Sequence, residues 1–596
     1  MLFLIAVGCE RARPPVATLV VAQVAEPRSL DPQVTTALND FRILVNVFEG
    51  LVRYRLGTLE PVPALAESWQ ISEDGRVYTF KLKGGVRFHD GSRFDAEAVR
   101  FNFERLLDPE HPYHDTGPFP LAFFFDAVES IEVLDPLRVR FRLAQPFAPF
   151  LSNLAYPAGL IVSPAAIERW GDEVGRHPSG TGPFRFVDWR PGERVRLERF
   201  PDYHGMHEGR LAARREGRPM DQQAGQETDQ GKDQITGQIA DKQAGRETNQ
   251  IADQIAGQQE GAPGGEEPAR SGGERDCDER GALVQTLIFR PITDPMTRVA
   301  ELLTGAVDLA LELSPDNVAA FRARAGFTVL EATGPHLWFL ILNTREGPLG
   351  DVRVRRAVNL AIDPRVLAED VLRETAVPAA GPVPAAFGWA NNPKVRPYRQ
   401  DRAAARRLLA AAGYEDGLRL RFLVPRGGSG MLDPVAMAMA IQGDLDRIGI
   451  DAEIRSYEWN AYLARVNQGL DADADMAEMA WMTNDPDTLP YLALRCDASP
   501  EQGGFNSGYY CSPRVDELIA QARRATDRDE RARLYHQLER EVHKDAPWAV
   551  IASWRQNLVA RAEVSGLQLE PSFFLRLEEV AKGSCRGGDG GGAKPQ

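Results

Sequence analysis

Cysteine is the residue type with the widest chemistry here, and the chain carries five: Cys9, Cys277, Cys496, Cys511 and Cys585. No two form a C-x-x-C pair and no histidine cluster accompanies them, so the spacing predicts no zinc site. Cys496 and Cys511 bracket a loop rich in Gly, Asn and Ser. In an exported chain that arrangement predicts a disulfide closing a short loop. Two buried free thiols is the competing reading, disfavoured because the intervening residues are turn formers. Cys9 follows the apolar run Leu2–Gly8, with the small residues Ala6 and Gly8 just before it. That is the pattern of a lipoprotein processing site and predicts a lipid anchor on Cys9. The run is at the short limit for a signal core and no basic residue precedes it, which points to a start codon assigned too far downstream. A frayed apolar terminus with an incidental cysteine is the other reading.

Catalytic patterns are missing. The nine histidines are scattered, and His89 and His336 lie beside strand-like apolar runs, as structural histidines do. There is no G-x-S-x-G, no H-E-x-x-H, no phosphate-binding loop and no G-x-G-x-x-G placed after a strand. The sequence therefore predicts a binder, not an enzyme, with no cofactor and no metal site. A ligand-sensing regulator would need a helix-turn-helix, and no segment before Val16 holds one.

With 596 residues the chain is too long for one core, so two or three lobes are expected. A formal net charge of -15 argues against general affinity for nucleic acid or anionic membrane surfaces. Past the first residues nothing is long and apolar enough to span a bilayer, so the membrane is reached only through the lipid anchor. Val16–Ala25 reads as a buried strand, and Tyr78–Leu82 alternates as another. Ala96–Leu107 has helical spacing at Val99, Phe103 and Leu106, and Val128–Leu143 gives two strands around Asp135-Pro136. Further on, Arg402–Ala412 is a helix stopped by Gly413, Leu418–Val424 a strand, Asp433–Ile448 a helix ended by Gly449, and Asp451–Tyr457 a strand. Val515–Ala525 and Arg528–Lys544 are amphipathic helices. Strands and helices interleave in this way along most of the chain, which predicts an α/β fold.

One stretch breaks the pattern. From about Met206 to Gly281 the chain is mostly Gln, Asp, Gly, Glu, Arg and Ala, with no aromatic residue. DQQAGQETDQGKDQITGQIA from Asp221 is echoed by DKQAGRETNQIADQIAGQQE from Asp241. Two copies without an apolar face do not make a solenoid, and the composition predicts a disordered surface insertion. The Gly-rich tail from Gly583 is expected to be disordered as well.

Several ordered blocks carry a family likeness: PALAESWQISEDGRVYTFKLKGGVRFHDG (63–91), HPSGTGPF (177–184), PDYHG (201–205), NTREGPLGDVRVRRAVNLAID (343–363), YEWNAYL (457–463), FNSGYYCSPRV (505–515) and RRATDRDERARLYHQLEREVHKDAPW (523–548). The chain resembles the peptide/nickel-type (family 5) solute-binding proteins of ABC importers, and among them the dipeptide binders, with His177 where the family usually has Asn. The resemblance implies a two-lobed periplasmic-binding-protein fold (type II, cluster C-like), with two crossing strands and an extra subdomain on the N-terminal lobe. It gives a signal remnant and linker at 1–15; lobe I at 16–47, 185–204, 283–330 and 547–580; and the extra subdomain at 48–184. The insertion falls at 205–282, lobe II at 331–546 and the tail at 581–596. It implies a monomer that delivers a short peptide or peptide-like ligand to the membrane permease, with nickel chelates, haem and oligosaccharides as alternative ligands. The lobes are expected to close over the ligand by a hinge motion.

The same resemblance points to ligand contacts. Peptide binders of the family hold the ligand amine with the aspartate of a W-x-x-D sequence. Counted from Trp481, Asn484 takes that place; Asp485 supplies the carboxylate if the loop shifts by one residue. The other reading is that Asp485 and Asp487 cap the following turn and helix. Trp481 and Trp459 match aromatic positions that line the peptide site, core packing being the alternative for both. Arg426, in LVPRGGSG, lies two residues off the position of an arginine that takes the ligand carboxylate; an exposed loop arginine is the alternative. Phe123-Phe124-Phe125 cannot all face one side of a strand, so one of them is a further candidate for the cleft beside core packing.

Overall fold

The computed structural model describes residues 17–205 and 282–583, apart from Ser429 and Ala472. Cys9, the repeat-bearing insertion and the Gly-rich tail lie outside the described residues.

The chain enters on β1 (Thr18–Gln23), whose near-continuous apolar run suits a strand buried on both faces. It pairs in parallel with β8 (Thr286–Pro291) and β9 (Leu309–Leu311). Helix α1 (Leu38–Val47) covers one face, burying Phe41, Ile43 and Leu44. A small antiparallel sheet follows, formed by β2 (Ala66–Ile71), β3 (Val77–Leu82), β4 (Val128–Asp135) and β5 (Arg138–Leu143), in the order β2-β3-β5-β4. Helix α2 (Ala96–Leu107) packs on it. The Asp95 carboxylate accepts from the Ala98 N–H and satisfies one of the free N–H groups that start the helix. A single apolar core runs from Leu19 and Val21 through Phe80, Phe103 and Phe141 to Phe574 and Leu577, so lobe I and the small sheet share one interior. Helix α3 (Phe150–Leu154) sits at its rim, and β6 (Phe184–Arg190) and β7 (Arg194–Arg199) extend the large sheet.

The Phe123–Phe125 segment departs from a strand reading. It forms a 3-10 turn (Ala122–Phe125) that buries Phe124 and Phe125 and leaves Phe123 at the surface. A helical turn spreads three consecutive rings over three directions, whereas a strand would have split them between two faces.

Two segments cross between the lobes. One is β10 (Phe327–Thr333), which runs on into β11 (His336–Leu342). The other is β15 (Trp548–Arg561), whose first residues pair with β11 and whose last pair with β10 and β9. All seven residues of β11 are buried.

Lobe II is an α/β/α sandwich on β11, β12 (Leu418–Pro425), β13 (Ile450–Tyr457) and β14 (Met476–Met482). Helices α4 (Arg402–Ala411) and α5 (Pro434–Asp446) bury Leu409, Ile441 and Leu445 on one face. Helices α6 (Trp459–Val466), α7 (Thr488–Ala493), α8 (Pro513–Arg524) and α9 (Arg528–Asp545) bury Tyr462, Leu489, Leu518 and Leu538 on the other. Asp401, Asp433 and Asp527 cap α4, α5 and α9. The large sheet runs β13-β12-β14-β11-β15-β9-β1-β8-β7-β6, with β10 and the short strand Ala376–Pro378 pairing to β15 beside this path. No described helix is long and apolar enough to cross a membrane.

Candidate functional site

Strands β12, β13 and β14 are parallel or share a parallel neighbour, so their carboxyl ends lie on one edge of lobe II. Open α/β sheets bind ligands outside this edge. Arg426, Trp459 and the segment Thr483–Asp487 follow these strand ends and Trp481 stands in the last residues of β14, and the fold gathers them there although up to 61 positions separate them in sequence. The backbone N–H of Arg426 donates to Tyr457 O at 2.8 Å, tying the first loop to the end of β13. The Arg426 side chain is exposed. Gly428 holds φ at +155°, and a Cβ there would stand 2.3 Å from the Trp459 ring, so this loop must be glycine for Trp459 to lie against it. Trp459 is half-buried and stacks on Tyr462. Trp481 alternates with Met479 and Ala477 toward the helical core and meets Phe505 edge-on at 5.2 Å.

The Cys496–Cys511 disulfide closes the loop that carries Phe505. The Asn506 side chain braces the same loop by donating to Arg495 O and Tyr510 O.

The segment after β14 faces the other side of the molecule. Asn484 is buried; its amide donates to Asn153 Oδ1 at 2.6 Å and its carbonyl accepts from Thr488 Oγ1 at 2.8 Å. Tyr54 Oη donates to Ser152 O at 3.1 Å and also reaches Asn484 O at 3.4 Å, and burial pushes the Tyr54 phenol up. The Ala148 N–H donates to Arg523 O at 2.8 Å. Lobe II is thus hydrogen-bonded to α3 and its flanks at several points.

The two aspartates of this segment are held differently. Asp485 is buried and accepts from both terminal nitrogens of Arg531, itself buried, and from the Asp487 N–H at 2.9 Å. Burial pulls the Arg531 guanidinium down, but Asp485 and Tyr535 beside it hold it above its ordinary value. Asp487 accepts from Arg523 Nη1 at 2.7 Å through one oxygen, while its other oxygen is buried without a partner. Burial raises the Asp487 carboxyl to about 6 against the pull of Arg523.

Beside Asp485 a cavity of about 420 Å³ opens between the two sides. Leu59, Tyr78 and Leu151 wall it on the small-sheet side; Phe387, Trp389 and Arg528 do so on lobe II. Among the described residues no cluster of His, Cys, Asp and Glu has the geometry to hold a metal ion. His336, at the crossing, accepts from the Trp554 N–H through Nδ1 and reaches Gly430 O through Nε2; burial lowers it to about 4. His89 is similarly tied to Gly180 and Gly182 and lowered by burial to about 4. In both, burial favours the neutral ring, and each ring is bonded to backbone.

Sequence reasoning missed Tyr54, Asn153, Trp389, Arg523, Arg528 and Arg531. The three arginines recur along α8 and α9, in a stretch whose sequence signals are an amphipathic pattern and a family likeness; their proximity to the D-P-D of 485–487 becomes visible only in three dimensions.

Comparison with known proteins bears on this geometry. A family model described as bacterial extracellular solute-binding proteins, family 5 Middle, matches residues 60–262 and 274–502. Di/tripeptide-binding protein 2 of Pseudomonas aeruginosa is 30% identical over 572 residues, covering 93% of each chain. HbpA2 of Haemophilus parasuis superposes with a TM-score of 0.74 at 25% identity, covering 95% of this chain and 99% of that one. The ABC transporter-associated periplasmic binding protein DppA of Helicobacter pylori, in complex with the peptide STSA, gives 0.69 at 27% identity, covering 95% and 98%.

Proposed function

We propose, from the premise that this chain belongs to the family 5 bacterial extracellular solute-binding proteins, that it is the substrate-binding component of an ABC importer. It captures a short peptide or peptide-like solute between its lobes and hands it to the membrane permease. The observation that carries this reading is the cavity of about 420 Å³ walled by both sides of the molecule, next to a loop whose Asn484 bonds across to Asn153. An interlobe chamber bridged by a few hydrogen bonds suits capture and release by hinge motion. The relatives named for di- and tripeptides, and the neighbour holding STSA, support peptide as the ligand class. Export, a lipid anchor on Cys9, a monomeric state and the permease partner belong to the same reading. Of the residues singled out in the sequence, Asp485 lines this cavity; Trp481, Trp459, Arg426, Asn484 and Asp487 stand outside its lining and belong to the reading through the family resemblance, the aspartates acting by shaping the loop.

Titration with di- and tripeptides under thermal denaturation tests it. A ligand at a hundred times its Kd raises stability by about 2.7 kcal/mol. No shift with any peptide would sink peptide capture.

A second reading follows from Asp485. Its oxygens are already occupied by Arg531 and the Asp487 N–H, which favours solutes that do not depend on a free amine. Equal binding of a peptide and its N-acetylated form would support this version.

A further inference from the structure

We propose that Arg528 anchors a carboxylate of the bound solute, with the cavity around Trp389 taking the solute's apolar body. The proposal rests on the reading of the chain as a solute binder and adds to it the chemical class recognised.

Four ionised side chains line the cavity: Glu60, Asp485, Arg528 and Arg531. Asp485 and Arg531 are sealed against each other. Glu60 is reached by Arg55 at 3.3 Å and by Arg528 at 3.8 Å. One carboxylate is therefore shared by two guanidiniums, and a positive charge is left in excess at Arg528. Its separation from Glu60 is too long for a hydrogen bond, so its N–H groups remain open to a closer acceptor.

Position adds to charge. The Arg528 guanidinium lies over the Trp389 ring at 5.3 Å. Cation–π attraction holds the group beside the cavity wall, and its fork of N–H donors matches a carboxylate by two parallel bonds. Its side chain is 58% exposed, which admits a ligand from solvent. The neighbouring walls at Leu59, Leu151 and Phe387 are apolar, so an aliphatic or aromatic group attached to the anion finds a dry surface. An ammonium finds no equivalent here, because both carboxylates of the lining already face arginine.

A pair of small probes separates this from peptide capture. The full chain and its Arg528→Gln and Arg528→Lys variants are titrated calorimetrically with 4-phenylbutyrate and with 4-phenylbutanamide. The acid is expected to bind the wild type about tenfold or more tightly than the amide, since a charge-assisted bidentate contact is lost on amidation. Arg528→Gln should bring the acid down to the level of the amide, and Arg528→Lys should keep part of the preference. Unchanged melting midpoints confirm that the variants fold. The proposal is overturned if the acid does not bind, if wild type takes acid and amide alike, or if Arg528→Gln keeps the preference. Dipeptide binding in the presence of any of these results would leave peptide capture standing. Acid binding with the expected preference but no dipeptide binding would do the reverse.

Discussion

At the inner end of the interlobe cavity Asp485 and Arg531 are both buried; at the outer end Glu60 and Arg528 are roughly half in water. The two pairs line the same space and combine the same residue types, carboxylate and guanidinium. They differ in what solvent does to them. The inner pair has given up its hydration and depends on mutual contact, so neither partner is available to a ligand without unbalancing the other. The outer pair keeps most of its hydration and can exchange partners at little cost. A ligand site needs both kinds of charge, one to fix the wall and one to read the solute.

The largest expected effect is at the inner pair. Asp485→Ala leaves the Arg531 guanidinium buried with no carboxylate partner, and Arg531→Met does the converse to Asp485. Each should cost about 3–5 kcal/mol in urea unfolding. Loss of less than about 1 kcal/mol would show that the pair is hydrated and would dissolve the contrast with the outer end.

Next is the disulfide. Replacing both Cys496 and Cys511 with serine frees a loop of 15-residue separation, which corresponds to about 3 kcal/mol of unfolded-state entropy. Phe505 rides on this loop against Trp481, so the same variant should alter tryptophan fluorescence before global unfolding. A two-state curve with unchanged pre-transition fluorescence would show that the loop holds Trp481 without the bond.

Asp487 sharpens the comparison within the inner end. Burial raises its folded value to about 6 from 3.8, so the native state binds a proton more readily than the unfolded chain. The contribution of Asp487 to stability is then greatest below about pH 4, falls as pH rises from about 4 to 6, and levels off above, the total being about 2–3 kcal/mol. Asp487→Asn should flatten this window. In the variant the amide oxygen still accepts from Arg523, and an uncharged NH2 takes the place of the unpaired buried oxygen. If wild type and variant run parallel between pH 4 and 6, the titration belongs elsewhere.

How much of this was open to sequence reading depends on range. Helices α4 and α5 are legible because their signals are local: Asp401 and Asp433 cap them, Gly413 and Gly449 follow them, and the apolar spacing lies between. β1 and β13 are legible from composition alone. The ligand-side loops could be placed at a common edge only through a family likeness, since nothing local says that Arg426, Trp459 and Trp481 end neighbouring strands. The partners of the 481–487 loop were out of reach altogether. Arg531 lies 46 positions from Asp485, and Asn153 lies 331 from Asn484. A carboxylate's availability is decided by such partners, so W-x-x-D spacing identifies where an aspartate stands and not what it faces. For Phe123–Phe125 the core-packing reading holds at Phe124 and Phe125, while the 3-10 turn is not legible because three consecutive apolar residues carry no period; Phe125 packs on Phe103 and Phe150.

The smallest stability effect should come from the outer pair. Glu60 and Arg528 are 3.8 Å apart with side chains 45% and 58% exposed. Water screens the attraction, and holding two long side chains together has its own entropic cost, so exposed pairs contribute about 0–1 kcal/mol. Arg55 competes for the same carboxylate at 3.3 Å, which lowers the share that Arg528 receives. A double-mutant cycle with Glu60→Gln and Arg528→Gln should therefore give a coupling of less than about 0.5 kcal/mol in unfolding. Glu60→Gln has a further consequence if Arg528 reads the solute: it removes the competitor for the guanidinium, so binding of an apolar carboxylate should tighten, by a few-fold at most, with melting unchanged. A coupling above about 1 kcal/mol, or weaker carboxylate binding in Glu60→Gln, would mean that this pair fixes the wall as the inner one does. The division of labour between the two ends would then fail.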